Sequence, residues 1–299
     1  MIKKKLIRRL KVEEGENVDL DEYDTGWAQN AELRTAGEEA VKDRAAQILE
    51  ENRQHLASAQ ELLWASGMYS VLIILQGLDA AGKDGTIRHV MSGVNPQGCR
   101  VQSFKVPTSE EIGHDFLWRY SRVLPSKGEI GIFNRSYYED VLVVRVHPEI
   151  LDSQKLPTTK RNDKFWEARY RDINAFEKHL HQNGTLILKF FLHTSKGEQK
   201  KRLLERLENE DKYWKFSAAD LKERGFWDDY IKAYEIMLSK TSTKYAPWYV
   251  VPADYKWAAR ALIADIITTR IQALDLHYPN VSEEQLESIK EAREQLKNE

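Results

Sequence analysis

Val71-Leu72-Ile73-Ile74-Leu75-Gln76-Gly77-Leu78-Asp79-Ala80-Ala81-Gly82-Lys83-Asp84-Gly85-Thr86 is the stretch that decides the fold. The apolar run Val71 to Leu75 has no polar face, which describes a strand buried on both sides and far too short to span a bilayer. Small residues follow, and Ile87 to Val94 reads as a helix. Strand, Gly-x-x-x-x-Gly-Lys and helix in that order make an anion-binding loop, with backbone amides and a helix N-terminus facing the ligand. Gly77, Ala80, Ala81, Gly82, Asp84, Gly85 and Thr86 form the expected phosphate-binding and nucleotide-binding loop, and Lys83 reaches phosphate oxygens. A plain strand-to-helix turn with a solvated lysine is the bland alternative, which the strand-loop-helix context disfavours.

Two carboxylates depart from the ordinary pattern. Asp84 stands where a P-loop NTPase places the Ser or Thr that binds magnesium, so the usual metal site has been rebuilt. Asp79 lies inside the loop, where a carboxylate beside phosphate is unfavourable unless a metal balances it. That points to Asp79 as a metal-linked residue, against an Asx turn as its structural alternative.

Outward from the loop, four more apolar runs alternate with helical stretches: Val101 to Lys105, Glu129 to Asn134, Leu186 to Leu192 and Trp248 to Val251. This alternation predicts an α/β fold with about five parallel strands, each buried between helices. A long helix is expected over Glu38 to Ala65, and another over Asp163 to His181, ended by Gly184. Residues 1–35 read as an extended or loosely ordered arm, and 36–299 as a single P-loop domain. Ser195-Lys196-Gly197-Glu198 has capping-box spacing and opens an Arg-bearing helix, so about 195–225 is a candidate lid. Arg202 and Arg206 lie four apart on one face of it, positioned to close onto phosphate.

The third strand empties into Asn134-Arg135-Ser136-Tyr137-Tyr138-Glu139-Asp140. At the carboxyl end of a parallel sheet these groups fall beside the phosphate loop. Arg135 suits transferring phosphate oxygens, and Glu139 and Asp140 are candidates beside the metal or nucleotide. Lys105 would extend a basic track. The alternatives are an Arg135 salt bridge to Glu139 or Asp140, and acids that merely favour a helix N-terminus.

With 45 basic and 47 acidic residues, a formal charge of -2 supplies no global field toward nucleic acid or membrane. One cysteine, Cys99, excludes a disulfide framework, and no apolar signal core follows the basic start, so a cytoplasmic location is the expectation. His179 and His181, two apart on a helix, face different ways and do not make a metal site; the tryptophans, Trp227 among them, read as core.

The loop with Asp79 and Lys83-Asp84, Phe104-Lys105-Val106-Pro107-Thr108, Asn134 to Asp140, and Pro247-Trp248-Tyr249-Val250-Val251-Pro252-Ala253-Asp254 together resemble the polyphosphate kinase 2 family. The resemblance spans about Val71 to Asp254. It implies a three-layer αβα core similar to thymidylate kinase, with a helical lid. It also implies Mg2+ dependence, with Mn2+ as a substitute, and transfer between inorganic polyphosphate and adenine nucleotides (AMP, ADP, ATP), with guanine nucleotides as further acceptors. Asp79 would bind the metal, with Glu139 as a second ligand. Asn134 with Glu139-Asp140 looks like the class III subgroup, which accepts AMP and ADP. The family further implies a homo-oligomer, dimer or tetramer. The rivals are an ATP-dependent P-loop nucleoside monophosphate kinase and a non-catalytic nucleotide-binding regulatory protein.

Overall fold

The computed structural model describes residues 2–154, 156–157, 160–215 and 217–299. Helix α1 (Lys4–Leu10) precedes the long helix α2 (Glu38–Ser66), which ends at Gly67 in the left-handed conformation, φ 59°. Strand β1 (Ser70–Gln76) leads through the glycine loop into α3 (Lys83–Val90). Strands β2 (Cys99–Ser103) and β3 (Ile130–Asn134) follow, then α4 (Asp163–Gln182) and β4 (Thr185–His193). Helices α5 (Lys196–Glu208), α6 (Ala218–Gly225) and α7 (Trp227–Thr241) lead to β5 (Trp248–Pro252). The chain ends with α8 (Lys256–Gln272) and α9 (Glu283–Lys297).

All five strands are parallel, in the order β2-β3-β1-β4-β5. Strand β1 is central, so alternate residues enter two cores: Leu72 and Ile74 pack with α4 and α7, while Val71, Ile73 and Leu75 pack with α2 and α8. That is the expected three-layer arrangement. Strand β2 departs from the expectation of burial on both faces. It runs along the sheet edge with Val101 half exposed, and it starts two residues earlier than the apolar run suggests.

The N-terminal segment is also more ordered than its composition predicts. Lys11 pairs antiparallel with Tyr249 on the outer edge of β5, and Val12, Val18 and Leu20 are buried. Each is fixed by a distant partner: Val12 N–H donates to Trp248 O, Val18 N–H to Ser239 Oγ and Leu20 N–H to Glu235 Oε1. Polar spacing hides these anchors because they follow neither helix nor strand period.

Between β4 and the helices above it lies a fully buried ion pair, Lys189 Nζ to Glu177 Oε2, 2.7 Å. Tyr137 and Tyr138 hydroxyls donate to Glu177 Oε1 at 2.8 and 2.6 Å, and Lys189 also donates to Thr241 O. Removing one partner strands a buried charge, whereas removing both does not. Lys189→Met or Glu177→Leu alone is therefore expected to cost about 3 to 5 kcal/mol in chemical denaturation, and the double variant less than either loss doubled.

Candidate active site

The loop after β1 is shaped by close approach. A Cβ on Gly77 would stand 3.1 Å from both Ala81 Cβ and Leu192 O, so a side chain there has no room. Ala80 takes a left-handed backbone, φ 62°, which a residue with a Cβ adopts at a cost of about 1 to 2 kcal/mol. Lys83 turns back beneath the loop and donates to Gly77 O at 2.6 Å and Leu78 O at 3.2 Å. Burial lowers its pKa to about 8, with Arg135 acting in the same direction and Asp79, Glu139 and Asp84 opposing.

Arg135 is, among the described residues, the second non-glycine residue held left-handed, φ 64°. Its Nη2 meets Asp79 Oδ1 at 2.6 Å and its Nη1 meets Glu139 Oε2 at 3.0 Å. Glu139 is the main cause, with Asp79 helping, of a guanidinium pKa raised above its ordinary value; burial opposes. Loop carboxylate, arginine and second carboxylate thus form one chain beside Lys83. Asn134 Nδ2 donates to Asp84 Oδ1 at 2.6 Å, so the carboxylate after the lysine faces the end of β3. Thr86 is buried, and its amide donates to Gly82 O at the start of α3.

A cleft of about 410 Å³, open to solvent, runs from Gly77, Asp79, Arg135 and Glu139 to Gln199, Glu223, Arg224, Trp227, Tyr230 and Tyr234. Trp227, read from sequence as core, lines it, with Lys196 and Arg224 over its ring at 5.8 and 5.9 Å. Tyr234 stacks on Phe191, ring centroids 4.3 Å apart. Tyr230 donates to Glu223, which also meets His147 Nε2. The sequence signal for these groups is a Trp and two Tyr on one face of α7, indistinguishable from core spacing until the cleft is seen.

Several expected site residues are placed elsewhere. Arg202 is buried, and all five of its N–H donors are engaged: on Glu198, on the carbonyls of Ala80 and Ala81, and on those of Ala253 and Asp254. It buttresses the loop from behind and has no donor left for phosphate. Glu198 is accordingly turned to Arg202, and Ser195 caps α5 alone. Arg206 pairs with Asp220 at 3.0 Å, inside the 195–225 stretch, of which residue 216 lies outside the described residues. Asp140 is buried and bonds to Arg169 and Gln154, not to the loop; burial raises its pKa, opposed by Arg169. Lys105 is exposed, and among the described residues only its carbonyl is engaged, by Arg119.

A model of the family described as Polyphosphate kinase 2 (PPK2) matches residues 39–279. The chain belongs to the polyphosphate kinase 2 family. It is 49% identical over 290 residues to an ADP-polyphosphate phosphotransferase of Rhodopseudomonas palustris, covering 97% of this chain and 98% of that one. An AMP/ADP-polyphosphate phosphotransferase of Meiothermus ruber is 49% identical over 245 residues, 82% of this chain and 88% of its own. The crystal structure of Polyphosphate Kinase 2 from Arthrobacter aurescens TC1 superposes with a TM-score of 0.81 at 39% identity, over 92% of this chain and 91% of that one. The chain is thus an enzyme, a phosphotransferase with a P-loop kinase core.

Phosphoryl transfer of the polyphosphate kinase 2 kind generally works with a divalent metal. Among the described residues no three His, Cys, Asp or Glu side chains converge tightly enough to hold an ion alone. Asp79 and Glu139 nevertheless fit a hard cation that keeps waters and shares itself between one or two carboxylates and substrate phosphates. No helix among the described residues is long and apolar enough to cross a membrane.

The lowered Lys83 pKa fixes a direction. Its cation is present below pH about 8 and lost above, so affinity of the free enzyme for tripolyphosphate is expected to fall as pH rises through that value. Isothermal titration across that range checks it, and Lys83→Met should bind weakly with a flattened profile. Gly77→Ala, forced against Leu192, should cost at least about 1 to 3 kcal/mol of stability on thermal melting.

Proposed function

We propose that this enzyme moves the terminal phosphoryl group of inorganic polyphosphate onto AMP and ADP, reversibly, with Mg2+ as its metal and Mn2+ as a substitute. The observation that carries the reading is Arg135 suspended between Asp79 and Glu139 beside Lys83, at the mouth of a cleft walled by Trp227, Tyr230 and Tyr234. Relatives named for AMP and ADP acceptors, at 49% identity, support the substrate pair.

Lys83 and the amides from Gly82 onward hold the end of the donor chain. Arg135 presents a planar cation to oxygens whose charge grows in the transition state, already oriented by two carboxylates, so little reorganisation is needed. A terminal phosphate oxygen of the acceptor attacks the end phosphorus in line; the bridging P–O bond breaks, and the chain departs one unit shorter. When bound, the metal at Asp79 neutralises phosphate charge. Trp227, Tyr230 and Tyr234 provide surfaces for a base, and Asn134 marks the subgroup that accepts both nucleotides. Asp140 and Arg202 act as positioning residues, through Arg169 and the loop carbonyls. The 195–225 stretch serves as the lid of a single catalytic domain, guanine nucleotides are further acceptors, and the enzyme works in the cytosol as a homo-oligomer.

Purified protein with Mg2+, long-chain polyphosphate and AMP or ADP in separate tubes is expected to yield ADP and ATP on chromatography. Product only from ATP plus a nucleoside monophosphate would establish the ordinary kinase instead, and nucleotide binding without transfer a regulatory protein. Lys83→Ala and Asp79→Asn should each lower the rate by about 100- to 1000-fold while remaining folded.

A further inference from the structure

A polyanion gripped by its end at Lys83 must lead its other phosphates away from the loop. The cleft beside Arg135 is taken by the acceptor under the proposed function, on which this inference rests. The neighbouring flank of α3 carries cations of a different kind from those in the cleft. A Cβ at Gly85 would lie 3.3 Å from Arg260 Nη2, so the guanidinium of α8 packs directly on the first turn of the loop helix. Arg88 follows Gly85 by three residues and Lys256 precedes Arg260 by four, spacings that place each pair on one helix face.

What distinguishes Arg88, Lys256 and Arg260 is that they are unspent. Arg202 is fully engaged, Arg206 holds Asp220, Arg224 holds Gln199 and Lys196 O, and Arg135 holds two carboxylates. Among the described residues none of the three forms an ion pair, and Arg260 Nε is buried without a partner. Their charges disfavour one another: burial and then Arg88 and Arg202 lower the Arg260 pKa. Burial and then Arg202 lower that of Lys256, against Glu205 and Glu198. A knot of like charges with no ion-paired carboxylate among the described residues lowers the stability of the fold, and a ligand with repeated negative charge removes that cost.

We propose that the donor chain leaves the phosphate loop over the first turn of α3 and lies along Arg260, Arg88 and Lys256, an outer track for the phosphates behind the one transferred. The track selects long chains and contributes nothing to the chemical step. It runs away from Lys105, which lies beyond β2 on the other side of β3.

Isothermal titration of tripolyphosphate and of long-chain polyphosphate into wild type, Arg260→Gln, the surface double variant Arg88→Gln/Lys256→Gln, and Lys105→Gln tests this. The double variant keeps the half-buried Arg260 in place, so a folding defect in Arg260→Gln leaves the test intact. Long-chain affinity is expected to fall about 10-fold or more in the double variant, a loss several times that for tripolyphosphate. Equal losses for both ligands, no loss, or a length-selective loss in Lys105→Gln instead would overturn the track. Failure of the wild type to bind either ligand while it uses ATP would overturn the donor assignment itself, a separate outcome.

Discussion

Lys189 and Glu177 share a site from which water is excluded on all sides, and much of the molecule is arranged to satisfy them. The pair ties β4 to α4, draws in the end of α7 through Thr241 O, and accepts the hydroxyls of Tyr137 and Tyr138. Those tyrosines come two and three residues after Arg135. Their rings also pack on neighbours, Tyr138 against Trp248 and Tyr137 against Tyr120 and Phe176. A left-handed arginine persists only where its surroundings over-determine it, and here the anchored tyrosines supply that determination. Two consecutive tyrosines therefore connect the ion pair in the core to the segment that carries Arg135.

The site sets three carboxylates, Asp79, Asp84 and Glu139, beside two cations, Lys83 and Arg135. Asp79 and Glu139 hold Arg135, Asn134 holds Asp84, and Lys83 rests on two carbonyls. Each cation is preoriented, Arg135 by two carboxylates and Lys83 by two carbonyls. Behind this layer Arg202 does the opposite. It spends four donors on backbone carbonyls from two loops and the fifth on Glu198, and so fixes the floor on which the anions would rest.

Much of this was legible in the sequence, and the reasons are local. Strands β1, β3, β4 and β5 announce themselves because burial on both faces demands unbroken apolar runs. The loop is legible because Gly77 and Gly82 answer to backbone geometry, and Asp79, Arg135 and Glu139 because β1 and β3 are neighbours whose ends must meet. What stayed hidden depended on partners remote in sequence. Nothing local tells that Arg202 is spent and Arg260 is not, or that Asp140 turns to Arg169. Val12, Val18 and Leu20 carry no period, since each is placed by one long-range hydrogen bond, and Trp227, buried as its helix spacing predicts, gives no sign from sequence that it also lines the cleft. Strand β2 reads as buried although it lies at the edge, because a sheet edge and a sheet centre can share a composition.

The placement of the N-terminal segment has a consequence for how the molecule is made. Ile2 N–H reaches Asp265, and Val12 O accepts from Ser242, partners separated by 263 and 230 positions. At ribosomal rates of about 5 to 20 residues per second, the opening segment waits on the order of 10 to 50 s for the strand it must border. During that interval the outer edge of β5 does not yet exist, and the buried valines have nothing to cover them. These residues are thus made long before they can settle, and the sheet is sealed on that side only once β5 has been synthesised.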